Sequence, residues 1–310
     1  MRAQWRRLNS NRIVILGGLV ACAMMPASVQ SQERNGTAPA TSILLPNFRH
    51  FPSPAGDPIE PRFAIGLAVT NLFETRGPER PAFAVAPASG TEVQASAAIG
   101  GTIPLLQLVG GRVVVAAQAG VFARFRIERP SRDDLGQDWV VGVPIEVAWS
   151  RMSARIRIVH RSSHLGDEFT EATGARRIEM GGESIDGLFA YRVSGIRLYG
   201  GGGWIFHSNT DNTDVLVRRG RLDRFTVQAG ADTEMRPFGD PRLSLVAGAD
   251  WQSAERTAWR GTLGFAGALR VQMGTREARL AARYAGGNSA LGQFFLTPEE
   301  VWTLELVLGL

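Results

Sequence analysis

Between residues 62 and 310 the chain alternates apolar and polar side chains at a period of two, over and over. That period belongs to extended strands, whose successive side chains point to opposite faces. In 241–253, Leu243, Leu245, Ala247, Ala249 and Trp251 alternate with Arg242, Ser244, Gly248, Asp250 and Gln252. The last such stretch sets Trp302, Leu304, Leu306, Leu308 and Leu310 against Thr303, Glu305 and Gly309. Twelve segments follow the rule: 62–74, 91–102, 112–128, 138–149, 152–163, 183–194, 196–207, 222–235, 241–253, 257–273, 277–287 and 300–310. Tight connections (Ser150-Arg151, Ser194-Gly195, 236–240, 274–276) take turns with long polar ones (75–90, 129–137, 164–182, 208–221, 288–299). The connection at 103–111 is of middling length and 254–256 is brief.

Short turns at one end and long loops at the other describe a transmembrane antiparallel β-barrel of twelve strands. An even strand count puts both termini on the short-turn, periplasmic side. A soluble barrel alternates too, with its apolar face inward. Aromatic residues near strand ends favour lipid instead: Trp139, Trp149, Tyr191, Trp204, Trp251, Trp259, Tyr284 and Trp302 read as interfacial girdles. Trp139 and Trp149 share one parity and bracket Val141, Val143, Ile145 and Val147.

Charge and leader narrow the setting. Arg and Lys total 34, all of them Arg, against 29 acids, for a formal +5. Residues 1–31 hold Arg2, Arg6, Arg7 and Arg12 and no acid, so the rest of the chain is near neutrality. Nucleic-acid binding thereby loses its main support. One Cys excludes a disulfide framework and a multi-Cys zinc site. A basic start, the apolar run Ile13–Met25 and small residues after it read as a signal peptide cleaved after Ser31. The alternative is a lipoprotein site at Leu19-Val20-Ala21-Cys22, with Cys22 lipidated. Residues 32–61 read as an irregular Pro-rich arm and 62–310 as the barrel. Export and a barrel together imply the bacterial outer membrane, entered with the barrel-assembly machinery.

The densest polar motif is His160-Arg161-Ser162-Ser163-His164-Leu165-Gly166-Asp167-Glu168, at the end of the fifth strand. By parity His160 and Ser162 continue the lipid face, at the extracellular rim, while Arg161 and Ser163 turn to the lumen. Two residues apart on one face, an imidazole can reach a hydroxyl as general base. A Ser/His ester hydrolase also needs an orienting third group, and Glu183 on the neighbouring strand is the candidate, with Asp167 and Glu168 as alternatives. Asp167 and Glu168 also suit Ca²⁺, a hard cation that takes carboxylate oxygens. Ser163, His164, Arg176 and Arg177 are candidate binding residues, the arginines for lipopolysaccharide phosphates, as are Arg218, Arg219 and Arg221. The implied partner is an outer-membrane lipid or lipopolysaccharide. His207 takes lumen parity and reads as structural surface. The Arg-rich lumen reads as a cross-barrel Arg–acid network or as an anion-selective pore. A non-enzymatic barrel, structural, pore-forming or surface-binding, is the alternative to hydrolysis.

Three stretches, Asp57–Phe63 (DPIEPRF), His160–Glu168 (HRSSHLGDE) and Asn288–Phe295 (NSALGQFF), resemble an outer-membrane family known only as a domain of unknown function. That resemblance covers most of 44–310 and implies an outer-membrane barrel. At His160 and Ser162 alone the chain also resembles the outer-membrane phospholipase A and lipid A deacylases, which use a His-x-Ser pair on the outward face of a strand. Ser163 and His164 follow here where the phospholipase pattern has Asn and Gly.

Overall fold

A computed structural model describes residues 43–74, 86–128, 134–178, 180–209 and 224–309. The leader, Cys22, Arg218, Arg219 and Arg221 lie outside the described residues. Two residues, β1 (Ile43–Leu44), add to the wall, which is built from β2 (Phe63–Glu74), β3 (Ala86–Leu108), β4 (Val113–Arg126), β5 (Asp134–Trp149), β6 (Met152–Leu165), β7 (Met180–Val193), β8 (Ile196–Ser208), β9 (Phe225–Met235), β10 (Leu243–Ala254), β11 (Thr262–Met273), β12 (Arg276–Asn288) and β13 (Pro298–Gly309). Each of β2–β13 pairs antiparallel with its sequence neighbours. β13 returns to β2, so the twelve strands close into a barrel. Closure leaves no unpaired edge, which is what a wall standing in hydrocarbon requires.

Several expected boundaries move by a few residues, and two of the shifts have a local cause. The second strand does not stop at residue 102. It continues to Leu108 opposite Val113, because a bulge between Pro104 and Leu106 absorbs the break in alternation. The segment expected over 257–273 starts as a strand only at Thr262, since Ala258 and Trp259 turn through positive φ (52° and 61°).

Alternation sorts the two faces. On β5, Trp139, Val141, Val143 and Ile145 are exposed while Asp138, Val140 and Glu146 are buried. The same order holds on β6, where Ile156 and Ile158 face out and Arg155 and Arg157 face in. Trp139, Trp149, Trp204, Trp251, Trp259 and Trp302 are all exposed. Apolar outside and charged inside is the reverse of a soluble barrel and the arrangement of a transmembrane one. No described helix is long and apolar enough to cross a membrane; the strands do the crossing.

The lumen is packed. Residues 45–62 pass through it and run into β2. Phe51 is fully buried against Leu188, Ala190 and Tyr199. Its ring lies under the guanidinium groups of Arg155 and Arg197, at 5.1 and 5.0 Å. Glu146 accepts the backbone N–H groups of His50 and Phe51 and pairs with Arg49 at 2.5 Å. Arg197 pairs with Asp232 at 2.5 Å and donates to the Pro52 carbonyl. Arg283 donates to the Ala55 and Asp57 carbonyls, and Arg62 pairs with Glu305. Gly264 makes room for this crossing: a Cβ there would sit 2.3 Å from the Gly56 carbonyl oxygen. The lumen therefore holds the Arg–acid network expected of it, completed by the arm.

Candidate functional site

The end of β6 carries two different structures on its two faces. Outward, His160 lies between Val141 of β5 and Glu183 of β7, and Ser162 lies one rung on, between Trp139 and Gly181. His160 Nδ1 is 2.8 Å from Glu183 Oε1. With Nδ1 held by the carboxylate, Nε2 is the ring nitrogen left for proton transfer. Ser162 occupies the same face as His160, with no hydrogen bond between them among the described residues. Beside Ser162, a Cβ on Gly181 would stand in ordinary van der Waals contact with the Asn209 side-chain amide nitrogen, at 3.8 Å, and with Ser162 Cβ, at 3.9 Å.

A second imidazole joins this row, from a residue that the sequence expectation places on the other face. Strict alternation from Trp204 put His207 on the lumen side. The register between β7 and β8 shifts between Glu183 and Ser184, so Phe206 is an extra residue in the ladder. Phe206 and His207 both stand exposed as a result. His207 Nδ1 lies 2.5 Å from Glu183 Oε2. One outward carboxylate thus holds two imidazoles from two neighbouring strands. Neither the bulge nor Asn209 carried a signal in the sequence; both depend on pairing.

Inward, the same motif closes the end of the barrel. Ser163 is buried, donates its hydroxyl hydrogen to Asp138, and accepts the Gln293 backbone N–H at 3.0 Å. Asp138 also accepts the Gly292 N–H, at 2.9 Å. Gln293 sends its side-chain amide to the carbonyls of Ser163 and Ile178. Leu165, Phe169, Leu291 and Phe294 form a small core with Leu135 and Ala175. Phe169 meets Phe294 edge-on at 5.5 Å. Gly166 is needed because a Cβ would strike the Asp134 carbonyl at 1.8 Å. The stretch 288–295 is therefore a cap seated on the inner face of β5 and β6.

The remaining candidates lie on the loop. Asp167 and Glu168 form the first turn of the short helix α1 (Asp167–Thr173), where acidic groups suit the helix dipole. Asp167 pairs with Arg177. His164, Arg176 and Arg177 are exposed. Among the described residues no group of three or more His, Cys, Asp or Glu is arranged to hold a metal ion.

A family model described as "Protein of unknown function (DUF1207)" matches residues 85–306. No curated protein matches the sequence. Among solved structures, the outer membrane phospholipase A from Escherichia coli superposes with a TM-score of 0.51 at 10% identity, over 85% of this chain and 95% of that one. The Salmonella typhi outer membrane phospholipase dimer with bound calcium gives 0.50 at 12% identity, over 82% and 93%. At such identities the likeness is one of fold.

Proposed function

The chain belongs to the DUF1207 family, and from its own residues we propose that it is an outer-membrane barrel that hydrolyses a lipid ester at its outer wall, near the long-loop, extracellular end. Ser162 is the nucleophile, His160 the general base and Glu183 the group that orients the imidazole. The observation that carries this reading is the 2.8 Å contact of His160 Nδ1 with Glu183 on the lipid-facing wall, one rung from Ser162. In the reaction, Ser162 Oγ–H passes its proton to His160 Nε2 as Oγ attacks the ester carbonyl carbon. The C–O bond to the leaving alcohol then breaks, the alcohol taking that proton. Water, deprotonated by the same imidazole, releases the fatty acid and restores Ser162. Gly181 beside Ser162 carries no side chain, so an acyl chain lying along the wall can bring its ester up to the hydroxyl there. The solved structures of like fold include phospholipases, which agrees with a lipid substrate. Exposed Arg176 and Arg177 suit phosphates of neighbouring lipopolysaccharide.

The test is fatty-acid release by the purified full chain from phospholipid and from lipid A, with and without Ca²⁺. Ser162→Ala and His160→Ala each abolish release while heat-modifiable gel mobility still reports a folded barrel. Glu183→Gln lowers release by about 10²-fold or more. A wild-type chain that releases nothing from any lipid overturns the reading. A second reading, a non-enzymatic structural barrel, is favoured by the crossed and capped lumen. It expects an unchanged lipid composition on deletion. The filled lumen counts against a pore, and a planar-bilayer recording should be quiet.

A further inference from the structure

At the long-loop end of the lumen, guanidinium groups outnumber the carboxylates available to them. A cavity of about 220 Å³ lies there between the arm and Phe295 of the cap, several times what one water needs. Arg157, Arg161, Arg256 and Arg260 line it. Arg157 is matched, to Asp186 at 2.8 Å and to Glu60 at 3.5 Å. Arg260 donates to the Thr257 carbonyl.

Arg161 and Arg256 are different. Neither has an ion pair or a hydrogen-bonded acceptor for its guanidinium among the described residues, and Arg256 Nε is buried without an acceptor. The Arg256 guanidinium lies over the Phe295 ring at 5.2 Å, which orders it without neutralising it. Ser253, 5% exposed, lines the same cavity, and its hydroxyl also has no partner among the described residues. Asp138 lends its charge to both arginines but bonds to neither, its oxygens being taken by Ser163 and Gly292, and Asp57 is taken by the Ile59 N–H and Gln228. Burial and the charge of Arg161 together pull Arg256 down to about 10.

Buried donors without acceptors, and like charges facing one another in a low dielectric, cost stability unless something completes them. A tetrahedral oxyanion does so: it accepts from guanidinium groups in bidentate fashion and from a hydroxyl, and it brings the missing negative charge. We propose that this chamber is a binding site for an oxyanion of the phosphate class, gripped by Arg161 and Arg256 with Ser253 as a third donor. The three donors, Arg161, Arg256 and Ser253, belong to the luminal part of the cavity, so the anion comes from water and not from a lipid headgroup. Ser162, Gly181 and Glu183 border the same cavity, so the anion site and the outer His160–Glu183 row are neighbours through the wall.

Calorimetric titration of the full chain in a non-ionic detergent micelle tests this with inorganic phosphate and, separately, with dihexanoylphosphatidic acid. The expected result is binding of inorganic phosphate, weakened about tenfold or more by Arg161→Gln and by Arg256→Gln. Ser253→Ala weakens it about threefold, and Arg242→Gln in a distant turn leaves it unchanged. No binding of inorganic phosphate to the wild-type chain, binding of the lipid phosphate alone, or binding indifferent to both arginine variants overturns the proposal. Should those variants fail to fold, crystals of the unaltered chain grown with selenate decide the matter. An anomalous peak between Arg161 and Arg256 supports the site, and a peak elsewhere or none refutes it.

Discussion

Arg155 and Arg256 sit in the same barrel, each over a phenylalanine ring, at 5.1 and 5.2 Å, yet their electrostatic situations are opposite. Arg155 reaches the Glu60 carboxylate at 2.8 Å. Arg256 reaches none among the described residues. The difference comes from what crosses the lumen at each level. In the middle the arm brings an acid to the wall's arginines; at the long-loop end the cap brings Phe295 and backbone N–H groups, which consume acid instead of supplying it. A ring can hold a guanidinium in place, but it cannot replace a counter-charge. Where the charges are matched the lumen is a scaffold, and where they are not it is able to take a ligand.

That contrast can be broken most forcefully at Glu60. Glu60→Gln adds Arg155 to the unmatched arginines Arg161 and Arg256 and should cost about 3–5 kcal/mol, measured as a lower urea midpoint of the heat-modifiable folded form. The same residue gives the contrast a pH signature. Burial pushes the Glu60 carboxyl up, but Arg155, Arg157 and Arg49 overcome it and hold it at about 2. Its folded-state value is lowered, so the stability it contributes is present above the ordinary glutamate range and lost as pH falls through about 2. Urea midpoints taken between pH 5 and pH 2 should fall in the wild-type chain and fall less in Glu60→Gln. Equal slopes would show that the arm's acid is not what steadies the middle of the lumen.

Ser163→Ala sharpens the comparison from the other end. It leaves Asp138 and the Gln293 N–H short of a partner and should cost about 1–3 kcal/mol, with faster hydrogen exchange at Gly292 and Gln293. Smallest of all is Arg242→Gln. Its partner Asp240 is held at about 2, chiefly by hydrogen bonds from Arg242, but both stand in water at the short-turn end. The urea midpoint should not move, because an ion pair in solvent contributes little.

How much of this was legible beforehand varied with the kind of physics involved. Strand number followed from period two, and the facing of Val141, Val143 and Ile145 from the Trp139 and Trp149 that bracket them as interfacial aromatics. The outward placement of His160 and Ser162 followed from the same parity. His207 did not: one extra residue at Phe206 reverses its side, and no composition or spacing marks that residue as a bulge. Its place in the polar motif makes Ser163 a candidate binding residue, and only the fold shows it buried beneath the cap. The arm's path was equally hidden, because Asp57–Phe63 shows no alternation and nothing in it names Arg155 or Arg157 as partners.

The amino-acid order by itself determined the repeating extended segments, their turns and the greasy and charged sides of the wall, because those depend on neighbours within a few residues. Only the closed barrel decided which arginines found an acid, which histidine reached Glu183 and which end of the lumen stayed positively charged. Those contacts join positions up to 243 residues apart, as Arg62 to Glu305 does, and at that range side chains meet only after the ladder has set its register.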